Sequence, residues 1–146
     1  QKAGKTDSLA FDTWGVDFGL LDADGNYWRI LFITGTADEG LAQRVAQKIE
    51  LHSLYVRTGN QILAINTLFQ LLALQEEQPD LLRRAKHLLF IPDLLAAMLG
   101  ADLTWERSIA STSQMLDPRT GQWSRKVLAA YGLPENCFAP LLPAVR

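Results

Sequence analysis

Two apolar segments on either side of a tight-turn sequence constrain the fold of this chain most strongly. Residues 18–22 and 27–33 flank the turn sequence Asp-Ala-Asp-Gly-Asn at residues 22–26. Gly25 can adopt the positive φ that a tight hairpin turn requires, so the pattern predicts a β-hairpin. Residues 30–33 are apolar without interruption, which predicts that the second hairpin strand is central in its sheet.

Helical periodicity follows the hairpin. Leu41, Val45 and Ile49 recur every four residues, which predicts an amphipathic helix that begins near Asp38. Together, the predicted strands and helices indicate a mixed α/β domain. The other predicted elements are strands at 8–13 and 88–91, helices at 51–57, 92–99 and 125–131 (the last after Ser124), a helix carrying Ile65, Leu68, Phe69 and Leu72 that ends before Pro79, and a helical turn at 80–85.

Composition and charge exclude several classes of function. The 146 residues suit one domain, and 14 basic against 16 acidic residues argue against a basic nucleic-acid groove. With one cysteine and two histidines, neither an internal disulfide nor a cysteine-rich zinc site is expected. Apolar runs fall short of the ~20 residues that a membrane helix needs, and no secretory signal is recognisable. We therefore expect a cytoplasmic protein without nucleic-acid or membrane partners.

Both ends of the sequence indicate a piece of a longer protein. The chain begins without Met and reaches an apolar stretch by Leu9, and residues 140–146 form an apolar tail spaced by prolines. Such a tail is typical of a connection into further structure. A processed start is the alternative explanation for the missing Met.

The Trp14-Gly15 pair is the candidate binding feature. A glycine directly after a strand lets a ligand approach the backbone closely, and the neighbouring tryptophan can present an apolar face to a sugar ring. The alternative, favoured by residue type alone, is that Trp14 belongs to the core. Asp12 and Asp17 could perform acid–base chemistry or hold a metal, but their spacing favours hydrogen bonds to the backbone of the Trp14-Gly15 turn.

The remaining reactive residue types suggest no complete catalytic set. Gly-Lys-Thr at residues 4–6 resembles the end of a phosphate-binding loop, but a strand-like segment follows where a helix is required. His52 and His87 are isolated in the sequence, and the hydroxyls at residues 111–113 are interpreted as a polar turn. Cys137 is expected to be a small buried residue. No catalytic residue and no metal ligand is predicted.

Four segments together resemble the sequences of rhamnulokinases. They are Phe-Asp-Thr-Trp-Gly-Val-Asp-Phe at residues 11–18, Tyr-Val-Arg-Thr-Gly with Ile-Asn-Thr-Leu-Phe-Gln-Leu at 55–59 and 65–71, Phe-Ile-Pro-Asp at 90–93, and Ala-Ser-Thr-Ser-Gln-Met-Leu-Asp at 110–117. Their order and spacing agree over nearly all of residues 9–140. On this resemblance, the chain is identified as a member of the two-domain FGGY-type carbohydrate kinases, whose fold is ribonuclease-H-like (actin-like ATPase).

The resemblance implies a reaction and a site. Such kinases transfer the γ-phosphoryl group of ATP, with Mg²⁺, to a sugar hydroxyl in a cleft between two domains. In rhamnulokinases the acceptor is O1 of L-rhamnulose. Gly15 matches the position that touches the sugar, with Thr13 and Trp14 beside it, and Asn66 lies in a segment that approaches the sugar in related kinases.

The resemblance also implies that parts of the enzyme lie outside this chain. The Gly-rich phosphate hairpin would precede residue 1, and the catalytic Asp of a His-Asp-Thr segment would follow residue 146. We therefore expect residues 1–146 to form one partial domain, a β-hairpin and a strand with several packed helices. This domain would lack the first hairpin and the C-terminal domain. ATP and Mg²⁺ would serve the complete enzyme and would not bind tightly to this chain, which we expect to be inactive alone.

Two departures from the family keep other functions open. Ile-Thr-Gly-Thr-Ala-Asp at residues 33–38 replaces Tyr-Arg-Asp-x-Arg-Thr, and Arg-Ser-Ile at 107–109 replaces Tyr-Thr-Asn. The alternatives are a kinase for another ketose or polyol, and a non-catalytic binding or oligomerisation module. Because partner strands would be missing, we expect exposed apolar surface and self-association.

Overall fold

The computed structural model describes residue 4 and residues 7–24, 26–31, 39–138 and 140–143. The strands are β1 Phe18–Leu21, β2 Tyr27–Leu31, β3 His87–Phe90, β4 Trp105–Glu106, β5 Leu116–Asp117, β6 Gln122–Trp123 and β7 Leu141–Leu142. The helices are α1 Glu39–Lys48, α2 Leu51–Thr58, α3 Thr67–Glu77, α4 Pro79–Arg84, α5 Ile91–Met98, α6 Arg107–Ala110 and α7 Arg125–Tyr131. Short 3₁₀ turns cover Ser111–Ser113 and Glu135–Cys137.

The main sheet confirms the predicted hairpin but shows a different strand at its centre. β1 pairs antiparallel with β2, and Asp22 closes the turn by accepting hydrogen bonds from the backbone N–H groups of Asp24 and Asn26. Among the strands of the described residues the order is β2-β1-β3, so β1 is central there and the prediction of a central second hairpin strand is wrong. An apolar run predicts burial but not pairing, and here the distant β3 takes the other side of β1.

Residues 8–13 form no strand, contrary to the prediction. Leu9 is 64% exposed, and the described strand pairings do not include this segment. A strand needs a neighbour to satisfy its backbone N–H and C=O groups. Residues 8–13 therefore have the apolar alternation of a strand but lack the neighbouring strand that a β-sheet requires.

The helices follow the predicted periodicity except at Ile49, which lies just past the end of α1, and at Ile65. Leu41 and Val45 of α1 are buried, and α3 buries both faces of its N-terminal turns. The periodicity predicts Ile65 on the α3 stripe, but the helix begins at Thr67 and Ile65 is 49% exposed. Asn66, with extended backbone, is the capping residue that separates Ile65 from the helix.

An aromatic cluster lies where the main sheet meets the C-terminal segment. Trp105 is fully buried and makes edge-on contacts with Phe90 and Trp123, with ring centroids 4.6 and 4.5 Å away. Its strand, β4, pairs in parallel with β7, a pair too short for periodicity to reveal. None of the helices in the described part of the chain has the length and apolar character needed to cross a bilayer.

Candidate functional site

The segment before the central strand folds into a strained bend, here called the 14–17 bend (residues 14–17). The backbone N–H of Asp17 donates to the carbonyl of Gly15 at 2.9 Å, and the intervening Val16 has φ +68°. These two features define a γ-turn with a positive central φ, a kind that is rare in proteins. A positive φ is especially unfavourable for a β-branched residue, so this turn requires support from its surroundings.

The side chains at the two ends of the 14–17 bend bind each other. The indole Nε1 of Trp14 donates to Oδ2 of Asp17 at 2.6 Å. Asp17 is only 8% exposed, whereas Trp14 is 55% exposed. The interpretation of Trp14 as a core residue is therefore wrong. The spacing predicted that the carboxylate of Asp17 binds the backbone of the turn; the hydrogen bond that the structure shows comes instead from the indole N–H of Trp14.

Gly15 and Thr13 complete the surface of the bend. A Cβ atom built on Gly15 would meet no atom within 4 Å, so open space adjoins its backbone. The hydroxyl of Thr13 donates to the carbonyl of Trp14 at 3.0 Å. The bend thus presents an aromatic face and an uncovered stretch of backbone side by side.

The bend lies at one end of the main sheet. Phe18, the next residue, pairs with Phe90 on one side and Leu31 on the other. The 14–17 bend therefore lies at the sheet end where β3 runs into α5 and where β2 stops. Residues 32–38, which include the whole segment at 33–38 that departs from the family pattern, follow β2 in the sequence and lie outside the described residues.

Asn66 lies at the start of α3 inside a buried polar cluster, here called the Gln114 network (Thr58, Asn60, Asn66 and Gln114). Its Nδ2 donates to the carbonyl of Gln61 at 2.8 Å and to Oε1 of Gln114 at 2.6 Å. An amide nitrogen carries two hydrogens, and both are used here. A sugar hydroxyl could therefore bind Asn66 only by donating to its Oδ1, and the sugar-binding role of Asn66 stays a prediction.

Gln114 is the central residue of this network, and sequence reasoning assigned it no role. Its Nε2 donates to Oγ1 of Thr58 at 2.7 Å and to the carbonyl of Asn60 at 3.0 Å. Gln114 is fully buried and has φ +66°, an uncommon value for a residue other than glycine. It joins the end of α2 to the start of α3. Its presence in a motif shared with rhamnulokinases was the only signal for it in the sequence.

A buried carboxyl group lies on α5, the helix that starts at the same end of the sheet. Burial raises the pKa of Asp93 to about 6, and the nearby charge of Glu106 adds to this, while a hydrogen bond from the backbone N–H of Glu106 opposes it. Among the described residues, Asp93 Oδ2 is buried without a hydrogen-bond partner. The environment of Asp93 therefore favours the protonated, neutral form of its carboxyl group.

The other reactive residues form no site in the described part of the chain. His52 is exposed, and Cys137 is buried with its Sγ donating to the carbonyl of Ala85 at 3.0 Å. Ser111 and Thr112 lie in a 3₁₀ turn and donate to the backbone carbonyls of Ser108 and Ile109 in the preceding helix, which confirms the polar-turn interpretation. Lys5 and Thr6 lie outside the described residues. Within those residues, no three His, Cys, Asp or Glu side chains gather where they could hold a metal ion.

Comparisons with known proteins show the family of this chain. Residues 9–146 match the N-terminal domain of the FGGY family of carbohydrate kinases. A rhamnulokinase from Yersinia pestis is 43% identical over 134 residues, which cover 91% of this chain and 28% of that protein. A rhamnulokinase from Klebsiella pneumoniae is 36% identical over 133 residues, which cover 90% of this chain and 27% of that protein. The chain thus spans less than a third of the length of these relatives.

Solved structures share the fold. A ligand-bound xylulose kinase from Lactobacillus acidophilus superposes on 96% of this chain, and on 29% of its own, with a TM-score of 0.77 at 15% identity. A gluconate kinase from the same organism gives a TM-score of 0.78 with the same coverage and identity. The predicted fold class, part of a ribonuclease-H-like α/β domain, is confirmed.

Proposed function

This chain belongs to the FGGY family of carbohydrate kinases, and from that premise we propose that it forms one wall of the sugar site of a kinase that phosphorylates L-rhamnulose at O1. The observation that carries the proposal is the 14–17 bend, where the exposed indole of Trp14 adjoins the open backbone of Gly15. The identity to rhamnulokinases supports the choice of sugar.

The bend suits a carbohydrate for two physical reasons. The ring face of Trp14 can cover the apolar C–H groups of a sugar, as aromatic side chains do in many binding sites. The missing side chain of Gly15 lets a sugar hydroxyl approach the peptide backbone closely. Thr13 fixes the carbonyl of Trp14 beside them through its hydroxyl.

We assign phosphoryl transfer to the complete enzyme. The reaction needs positioned phosphates, a metal ion and a group that orients the attacking hydroxyl. Among the described residues, no three His, Cys, Asp or Glu side chains gather, and the chain spans less than a third of the length of its rhamnulokinase relatives. We therefore propose that ATP and Mg²⁺ serve the longer protein, in the cytoplasm where ATP is available, and that this chain alone is inactive.

Two measurements test the function. Saturation-transfer NMR should show that the chain binds L-rhamnulose in preference to D-xylulose and glycerol. An ADP-release assay should show no sugar-dependent turnover by the chain alone. Preferential binding of D-xylulose or glycerol would contradict the choice of sugar, and sugar-dependent ADP release would contradict the proposed inactivity.

A kinase for another ketose or polyol is the second candidate. It is favoured by the sequence Ile-Thr-Gly-Thr-Ala-Asp at residues 33–38, where the family pattern is Tyr-Arg-Asp-x-Arg-Thr. An aromatic and two charged groups of the family pattern are absent from this sequence, which favours a sugar with a different arrangement of hydroxyls. The same NMR panel distinguishes the two candidates.

We also propose that the chain self-associates, which is the basis of the third candidate, a non-catalytic oligomerisation module. Leu9, Met98 and Leu99 are large apolar residues that the structure leaves exposed. Exposed apolar surface favours association in water. Size-exclusion chromatography at increasing concentration should show a growing dimer fraction, and a monomer at all concentrations would contradict this.

A further inference from the structure

We propose that Asp17 is a positioning residue for the sugar, because it holds the indole of Trp14 in the orientation that a sugar would contact. The inference rests on the proposed sugar site. Asp17 itself need not touch the sugar. Its carboxylate acts through the 2.6 Å hydrogen bond to Nε1 of Trp14.

An exposed aromatic side chain needs such an anchor. Trp14 has more than half of its surface in water, so packing alone leaves its ring several rotamers. Asp17 is nearly buried and directly precedes Phe18, which is fully buried and paired on both sides in the main sheet. The hydrogen bond therefore ties a surface ring to the most constrained strand of the described fold, the arrangement that a preorganised site requires.

The same hydrogen bond supports the strained turn. It spans Val16, whose positive φ is unfavourable for a β-branched residue and persists only where surrounding contacts enforce it. The backbone hydrogen bond from Asp17 to Gly15 and the side-chain bond from Trp14 to Asp17 enclose this residue from two sides. Loss of the carboxylate would free both the ring and the turn.

The anchor also limits how Trp14 can recognise a ligand. Indole has a single N–H donor, and here Asp17 accepts it. Trp14 therefore offers a sugar its ring face and not a hydrogen bond. Phenylalanine at this position would keep an aromatic face and lose the anchor, which makes Trp14→Phe a suitable partner for a double-mutant cycle.

The test measures L-rhamnulose binding to this chain by NMR titration in a cycle of Asp17→Ala and Trp14→Phe. Asp17→Ala should weaken binding about tenfold on its own and have almost no further effect when Trp14→Phe is present, because the contact is already absent. Asp17→Asn keeps an acceptor oxygen and should bind the sugar within about twofold of the unmodified chain.

A second readout does not depend on the sugar. The indole N–H resonance of Trp14, identified by its loss in Trp14→Phe, should shift in Asp17→Ala and stay close to its original position in Asp17→Asn. Equal losses of binding from Asp17→Ala with and without Trp14→Phe, or an unmoved indole resonance, would overturn the positioning role alone. Absence of L-rhamnulose binding by the unmodified chain would overturn the sugar site and this inference with it.

Discussion

Asn66 and Gln114 join their side-chain amides at 2.6 Å in the interior of the protein, although 48 residues separate them in the sequence. Both belong to motifs that resemble those of rhamnulokinases. The contact links the start of α3 to the residue that follows a 3₁₀ turn. Motif residues of this kind can hold loops together rather than touch a ligand.

Replacement of Gln114 should therefore destabilise the fold. Gln114→Ala removes one hydrogen-bond partner each from Asn66 Nδ2, Thr58 Oγ1 and the Asn60 carbonyl, and the loss of these three buried hydrogen bonds costs about 2 kcal/mol or more. Urea unfolding measures this loss. Gln75→Ala is the matched control, because Gln75 makes a more exposed, single hydrogen bond of 3.2 Å to Gly132, and its effect should stay within about 0.5 kcal/mol. Equal stability of the two variants would contradict this account.

Asp93 should make the protein less stable as the pH rises. Burial raises the pKa of its carboxyl group from 3.8 to about 6. Between these values the folded state binds a proton that the unfolded state has lost, so the free energy of unfolding falls with increasing pH through that window. The loss is at most about 3 kcal/mol, since one pKa unit corresponds to about 1.4 kcal/mol.

Asp93→Asn removes this titration and should stabilise the protein by about 1–3 kcal/mol at pH 7, with a much smaller gain at pH 4. The asparagine oxygen can still accept the backbone N–H of Glu106. Urea unfolding at both pH values checks the difference. Asp24→Asn, on the exposed hairpin turn, serves as the control. A gain that is the same at pH 4 and pH 7 would rule out burial of the carboxylate as the cause.

Substitution by alanine should reduce the stability of the protein more at Gly19, in β1, than at Gly15, in the 14–17 bend. A Cβ on Gly19 would lie 2.7 Å from Cδ2 of Leu94, which is itself buried, whereas a Cβ on Gly15 meets nothing within 4 Å. Gly19→Ala should therefore cost about 1–3 kcal/mol of stability through overpacking, and Gly15→Ala less than about 0.5 kcal/mol. Thermal unfolding compares them. Addition of Leu94→Val to Gly19→Ala should recover part of the loss, and failure to do so would show that Leu94 is not the obstacle.

Cys137 should be unreactive in the folded protein. Burial raises the pKa of its thiol to about 11, although the charge of Lys86 opposes the shift slightly. The thiolate is the reactive form, and at pH 8 only about one thiol in a thousand would carry the charge. A thiol-specific chromogenic reagent should therefore react slowly in buffer and rapidly in denaturing urea. Equal rates in the two conditions would contradict the buried position.

Local sequence patterns predicted the hairpin and most of the helices but not how the strands pair. The turn at residues 22–26 and the spacing of Leu41 and Val45 are encoded within a few residues, and the structure confirms both elements. The central position of β1 depends on β3, almost 70 residues later, so no pattern near the hairpin reveals it. For the same reason, the apolar alternation at residues 8–13 predicted a strand where the structure has none.

The sequence indicated candidate residues for the site but not the contacts that they make. Resemblance to rhamnulokinases is enough to indicate Thr13, Trp14, Gly15 and Asn66 from the amino-acid sequence alone. The hydrogen bond from Trp14 to Asp17 depends on a γ-turn that residue propensities disfavour at Val16. Such strained conformations follow from tertiary context, which local propensity does not contain.

The central claim is that a sugar contacts the open backbone of Gly15 beside Trp14. NMR titration of L-rhamnulose into the chain and into Gly15→Ala tests this claim most directly, with Gly4→Ala as a control, because a Cβ at Gly4 also meets nothing within 4 Å. We predict that the unmodified chain and Gly4→Ala bind equally and that Gly15→Ala binds at least about tenfold more weakly. Unchanged affinity in Gly15→Ala would contradict the proposed site.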